Sequence, residues 1–224
     1  MVTGYSSTHV DRRSRRRQQT IDEALEHAVA IMATEGVGAL TVSEMARRMG
    51  VRAPSLYKYF PSLHAVYDEL FARGAAANQD VVRAAVDGLP HGVARIRAGT
   101  VATVAWCVAH PALAQLLYWR PVPGFAPSAA AFRSSQDDMA EVRGEFAEAV
   151  RRGELDPAAD SPEAVRLLTV VISGLISQQM ANEPGADFAT GAFTRLTDDA
   201  LDMFLARYRP TRGHPGGDHA DARP

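Results

Sequence analysis

A chain of 224 residues is long enough to bury a real core and to hold a small domain fused to a larger one. Its 24 Lys+Arg against 26 Asp+Glu leave a formal charge of −2, a balance that does not by itself point to nucleic acid. The single cysteine, Cys107, excludes an intramolecular disulfide and a multi-cysteine metal site and is consistent with a reducing cytoplasm.

The chain opens on a basic stretch, residues 1–17, in which Arg12, Arg13, Arg15, Arg16 and Arg17 put five arginines into six residues. Such a run is too charged to fold alone and is expected to be a flexible arm. It is either a solvated tail or a phosphate-contacting, minor-groove segment. Thr20 and Glu23 make a capping box, so a helix is expected from there, with Ile21, Leu25, Ala28, Val29 and Met32 on one face. Thr41 and Glu44 make a second box and start a helix near Val42. Gly50 can take the left-handed conformation that ends it, Ala46 allows a close crossing, and Val51 is expected to plug the wedge between two helices. After a turn of about three residues, Pro54 suits the first turn of the next helix, although Ala53 is a poor cap. Leu56 and Phe60 face inward, leaving Arg52, Ser55, Tyr57, Lys58 and Tyr59 outward. That is helix-turn-helix spacing, in which the second helix enters a major groove. An ordinary helical hairpin with a solvated polar face is the alternative.

Charge supports the first reading. Residues 1–60 carry nine Lys+Arg against six Asp+Glu, and residues 61–224 carry fifteen against twenty, so the sign changes where the hairpin ends. Lys58, on the outward face, is the chain's only lysine.

Residues 20–70, with L-T-V-S-E-M-A-x-x-M-G-V-x-x-P-S-L-Y-x-Y-F-P-S-L, resemble the DNA-binding domain of the tetracycline-repressor-like (TetR) family of bacterial transcription regulators. The resemblance implies a helix-turn-helix domain over 18–61 joined to a larger helical domain that dimerises and binds a small molecule. It places the recognition positions on Arg52, Ala53, Pro54, Ser55, Tyr57, Lys58 and Tyr59, and a phosphate contact on Thr41. Members often carry a lysine at the start of the fourth helix. This chain has Leu63 there, which leaves Ser62 or His64 to replace that contact.

Beyond Pro61 no strand-like alternation occurs and helical periodicity recurs to about residue 208, so the fold class is all-α. Ser62 opens a linker helix over 62–86, followed by helices at about 91–109 and from Pro111 to Trp119. The stretch from Ala98 to Trp119 lacks charged residues, but His110-Pro111 breaks it, so it reads as two buried helices and no membrane segment is expected. A loop with Pro121, Pro123 and Pro127 precedes a helix from Ser128 to Arg152, stopped by Gly153. Ser161-Pro162-Glu163 starts a helix to about Asn182, and the last helix covers roughly 188–208. The tail, 209–224, lacks apolar residues and is expected to be disordered. No apolar segment follows the arginines, so a secretory signal is not expected.

The helix over 162–182 is apolar on nearly all sides, which suits either the centre of a monomeric core or a four-helix interface between two copies. Leu175 and Phe204 are the residues expected to carry that homodimer contact. A two-fold pair would set recognition helices one turn apart on a near-palindromic operator in double-stranded DNA. Trp106, Tyr118, Trp119, Phe125, Phe132, Met139 and Met180 are aromatic and sulfur-bearing candidates for an effector pocket, with Gln115, Ser173, Ser177 and Gln178 as polar orienting groups. Each is also an ordinary core residue; together they suit a small apolar or aromatic effector. Cys107, between Trp106 and Val108, reads as a buried inert thiol rather than a redox sensor. Seven scattered histidines form no H-E-x-x-H, and there is no G-x-S-x-G or Walker lysine, so an enzyme, a metal or a cofactor is not expected. The rival reading is a helix-turn-helix module that binds protein without reading DNA.

Overall fold

The computed structural model describes residues 7–210, with side chains from residue 12. Helices α1 (Ser7–Glu35), α2 (Val42–Arg48) and α3 (Ala53–Tyr57) make a small N-terminal unit, and α4 (Leu63–Val86) runs from it into a larger one. That larger unit is built by α5 (Val93–Ala109), α6 (Pro111–Tyr118), α7 (Arg133–Arg151), α8 (Pro162–Asn182) and α9 (Thr197–Ala206). No strand occurs among the described residues.

The expected flexible arm is instead, from Ser7 on, the first part of α1. No glycine or proline interrupts residues 7–35, and arginine and glutamine are strong helix formers, so nothing confines the helix to the amphipathic part. Thr20 therefore sits mid-helix, where its hydroxyl donates to the Arg16 carbonyl at 3.0 Å rather than capping. α1 stops at Gly36, whose φ of +87° is cheap only for glycine.

α4 begins where expected, with the Ser62 hydroxyl accepting from the Ala65 N–H at 3.2 Å. α7 starts five residues later than Ser128. The backbone N–H and hydroxyl of Ser128 both donate to the Asp68 carboxylate, each at 2.7 Å, which holds the chain in a turn. α9 is likewise shorter than expected. The buried Gln179 side chain accepts from the Phe193 and Thr194 N–H groups at 3.1 and 3.3 Å, and Glu183 accepts from Ala192 at 2.7 Å. Those donors are thus satisfied without a helix.

Leu25, Ile31, Met45, Leu56 and Phe71 form a core that continues into Ala112 and Leu116 of α6, so the N-terminal unit and the larger unit share packed side chains. A second cluster joins α5, α7, α8 and α9 through Ile96, Phe146, Leu168, Leu201 and Phe204. A third holds Trp106, Cys107, Ala114, Leu175 and Ile176. Burial pushes the Cys107 thiol up to about 12, opposed by a bond with Tyr118, so it stays protonated and inert. α5 and α6 meet at a 118° bend at His110-Pro111. α8 is long and apolar enough to cross a bilayer, but Ala164, Leu168 and Ile176 on one side of it pack into the protein core. The predicted tail lies, from residue 211, outside the described residues.

Candidate functional site

Two features of the fold invite a ligand: the exposed ridge on α3 and a cavity walled by α4 to α8.

Thr41 caps α2, its hydroxyl accepting from the Glu44 N–H at 3.1 Å. Glu44 does not return the bond. Its carboxylate accepts from Arg47 and Arg48 at 2.6 to 2.8 Å, and those hydrogen bonds, Arg47 first, hold it down at about 2. Gly50 turns the chain at φ +65°, with the Val51 N–H donating to the Ala46 carbonyl at 2.9 Å. Arg52 is extended as the residue before α3, and Pro54 lies in the first turn, where no N–H is missed. Leu56 and Phe60 are buried, which fixes the rotation of α3 and turns Arg52, Pro54, Ser55, Tyr57 and Lys58 to solvent. Arg17 of α1 and Lys58 both stand over the Tyr59 ring, at 5.1 and 4.9 Å from its centroid. Burial would raise the Tyr59 hydroxyl, but contacts with Thr20 and Lys58 and the charges of Lys58 and Arg17 outweigh it and leave it lowered.

The cavity, of about 1040 Å³, lies against the same α4 that leaves the α3 unit. Phe71, Ala75 and Val82 of α4, Ile96 of α5, Leu117 of α6 and Ile172 of α8 make much of its apolar wall. Phe71 meets Phe132 at 6.0 Å, and the segment after α6 runs on from the cavity wall to the head of α4, where Phe125 packs on Tyr67 at 5.7 Å. The Tyr67 hydroxyl donates to the Val37 carbonyl at 3.0 Å, and Arg73 donates to Asp22 of α1 at 2.6 Å. Cavity wall and α3 unit are therefore joined by side-chain packing and hydrogen bonds.

Residues 24–70 match the family described as bacterial regulatory proteins, tetR family, and residues 96–207 match the tetracyclin repressor-like C-terminal domain. The chain belongs to the TetR family. Among solved structures, a Rhodococcus sp. RHA1 protein of unknown function is 22% identical, with 84% of this chain and 94% of that chain covered at a TM-score of 0.70. The fatty acid degradation regulator FadR from Bacillus halodurans is 16% identical over 84% and 97% of the two chains, at 0.71. FadR from Bacillus subtilis, solved in complex with stearoyl-CoA, is 14% identical over 82% and 97%, at 0.69. No curated protein matches the sequence.

Within the TetR fold the predicted DNA-facing residues fall into three groups. Pro54, Ser55 and Tyr57 of α3 are exposed together with Arg52 and Lys58 that flank it, and Thr41 is exposed just before α2. Ala53 and Tyr59 are half-buried against the core, so they support the ridge more than they present it. Arg12, Arg13, Arg15, Arg16 and Arg17 are exposed on the helical extension of α1 rather than on a loose strand of chain. Val51 does not plug the wedge: it is 41% exposed, and Met49 packs on the core instead. Ser62 and His64 are both exposed beside the half-buried Leu63, with His64 5.9 Å from the Phe125 ring.

The TetR cavity takes in fewer of the predicted effector contacts. Tyr118, Phe132, Met139 and Ser173 line it. Trp106 instead stacks on His110 at 4.7 Å inside the third cluster, where Met180 also packs. Trp119 is 37% exposed, Phe125 is buried at the head of α4, and Ser177, one turn beyond Ser173, is not among the lining residues; neither are Gln115 and Gln178. The cavity ends before that turn of α8. Sequence reasoning missed Asn78, Thr100, Thr103 and Asp138, all of which line it. Asn78 left a signal, being a polar residue on the apolar stripe of α4.

Asp138 is half-buried on α7 and pushed up to about 6, chiefly by burial and by repulsion from Glu141, with Arg83 partly offsetting them. A free aspartate titrates near 3.8. Below that pH both folded and unfolded states carry the proton and no cost arises. Above about 6 the folded state holds a charge it disfavours, and stability is lower by on the order of 2 kcal/mol. Asp138→Asn is therefore expected to raise the melting temperature by roughly 5 °C at pH 8, a gain that fades towards pH 4. Calorimetry across that range checks it, and an equal gain at both ends would exclude ionisation as the cause.

Proposed function

We propose that this TetR-family protein is a sequence-specific DNA-binding repressor that works as a homodimer on a near-palindromic operator and lets go when a small apolar or aromatic effector fills the cavity. The observation that carries the DNA reading is the joint exposure of Tyr57 on α3 and of Arg52 and Lys58 at its two ends, next to the arginine-rich end of α1, where Arg17 stands over the Tyr59 ring. Lysine and arginine there suit phosphates and guanine edges, and the tyrosine suits phosphate or thymine contact.

Release follows from the shared core. An effector that displaces Phe71 or Phe132 moves α4 relative to the segment bearing Phe125 and Ser128, and α4 is bonded to the α3 unit through Tyr67 and Arg73. The effector then favours whichever separation of the two recognition helices leaves it the better fitted, a population shift between two states. A cavity of this volume is of the size that apolar small-molecule ligands occupy. FadR from Bacillus subtilis was solved with stearoyl-CoA, and another similar structure is the ketosteroid regulator KstR2 of Mycobacterium tuberculosis.

Capture of random duplexes by the purified chain, followed by sequencing, tests the reading directly. A two-fold symmetric consensus is expected, and recovery of unrelated sequences would leave a protein-binding module. On the captured duplex, replacing Arg12, Arg13 and Arg16 by alanine is expected to lower the slope of log affinity against log salt by about one for each phosphate no longer neutralised. An unchanged slope would remove the helical extension from the interface.

A further inference from the structure

One polar group in the cavity is left unserved by the fold. Asn78 lies on the stripe of α4 that also carries Phe71, Ala75 and Val82, is 7% exposed, and its Nδ2 has no hydrogen-bond partner among the described residues. A buried amide without a partner is costly, and a leucine of similar size at the same place would be cheaper. The neighbouring Gln79 is also buried and unpartnered, but it does not line the cavity.

The charges around the cavity are, by contrast, mostly spoken for. Arg83 pairs with Glu141 at 2.8 Å, Arg95 lies 3.6 Å from Glu145, His91 lies 2.9 Å from the same carboxylate, and Arg151 pairs with Glu148. Among the described residues Arg120 is the lining cation without a carboxylate partner, and it stands exposed at the rim, where water screens it. An anion placed deeper would meet the half-buried carboxyl of Asp138. What remains in the interior is apolar wall, the Tyr118 hydroxyl bonded to Cys107, the hydroxyl-bearing Thr100, Thr103 and Ser173, and one idle amide donor.

We propose that the cavity takes an uncharged, largely apolar ligand bearing an acceptor oxygen of the ketone, ester or amide kind, and that Asn78 donates its amide N–H to that oxygen. The assignment rests on the cavity being the effector site. It names the chemistry that the site selects: an alkane or arene without oxygen leaves the amide unpaired, and a carboxylate or ammonium cannot keep its hydration there.

The probe that tests this is 6-propionyl-2-(dimethylamino)naphthalene, an uncharged naphthyl ketone whose emission moves to longer wavelength when its carbonyl accepts a hydrogen bond. Saturable binding to the full chain is expected. Asn78→Leu and Asn78→Ala are each expected to weaken it by about five- to tenfold and to shift the bound emission to shorter wavelength. The second variant removes the donor without adding bulk, and melting curves of both, expected no lower than wild type for the leucine, keep folding separate from binding. In competition, 2-acetylnaphthalene is expected to displace the probe about tenfold better than 2-isopropylnaphthalene, its oxygen-free isostere, and that preference is expected to vanish in the leucine variant. 2-Naphthoate and 2-naphthylmethylammonium are expected to compete more weakly than the ketone. Unchanged affinity and emission in both variants, or tighter competition by either ion, would overturn the donor assignment alone. Failure of the fluorescent ketone and all four competitors to bind the wild-type chain would overturn the cavity reading as well.

Discussion

Replacing Tyr57 and Lys58 together by alanine is expected to lower affinity for a captured duplex by about 100-fold or more, while the melting temperature stays within about 2 °C of wild type. Tyr57 is 50% exposed and Lys58 is exposed, so neither side chain holds the fold together. Each contact to a base edge or phosphate contributes roughly 1–3 kcal/mol of binding, and a symmetric pair forfeits each of them twice. The contrast is Leu56→Ala, one residue away and 1% exposed, which is expected to abolish binding by unfolding, at a stability cost of about 2–5 kcal/mol. Titration of the duplex alongside calorimetry separates the two effects. A double variant that binds the duplex as the wild type does would take the α3 ridge out of DNA reading.

The helix-turn-helix was legible because its signals are local. A cap at Thr41, a left-handed glycine at Gly50, a first-turn proline at Pro54 and the inward pair Leu56 and Phe60 each act within a few residues of where they stand. The N-terminal arm was misread because a capping box describes a possible start, whereas helix propensity and the absence of breakers decide how far back the helix runs. α9 is shorter than its periodicity predicts for the opposite reason: the Gln179 side chain, 14 residues upstream of Phe193, satisfies the N–H groups of Phe193 and Thr194, and no local propensity signals that bond. The cavity fared similarly. Composition could nominate Phe132 and Met139, but whether Trp106 faces a hollow or stacks on His110 depends on how α5 bends into α6. Asn78 stands out in the sequence as a polar residue on an apolar stripe, and only the packing excludes its alternative, a paired core amide.

Leu175 and Phe204, expected at the dimer contact, are buried inside the protomer. Phe204 is 4% exposed against Phe146 and Tyr208, and Leu175 is 9% exposed in the third cluster, so charges there would unfold the protomer rather than separate a pair of protomers. Periodicity shows which residues want cover but not which neighbour supplies it. On and beside these last two helices, the large apolar side chains left uncovered among the described residues are Val170 on α8, at 64% exposure, and Met203 on α9, at 78%, with Leu196 at 47% just before α9. They lie on the two helices proposed to form the four-helix interface, and exposed apolar groups of this size are what a second copy would bury. Val170→Asp and Met203→Asp, combined, are therefore expected to give folded monomers in sedimentation and to weaken operator binding by about 10²- to 10⁴-fold, because a linked pair of half-site contacts becomes two independent ones. Loss of dimer with full helicity is the decisive combination. A doubly charged variant that still sediments as a dimer would place the interface on another face of the larger unit and leave Val170 and Met203 as ordinary surface residues.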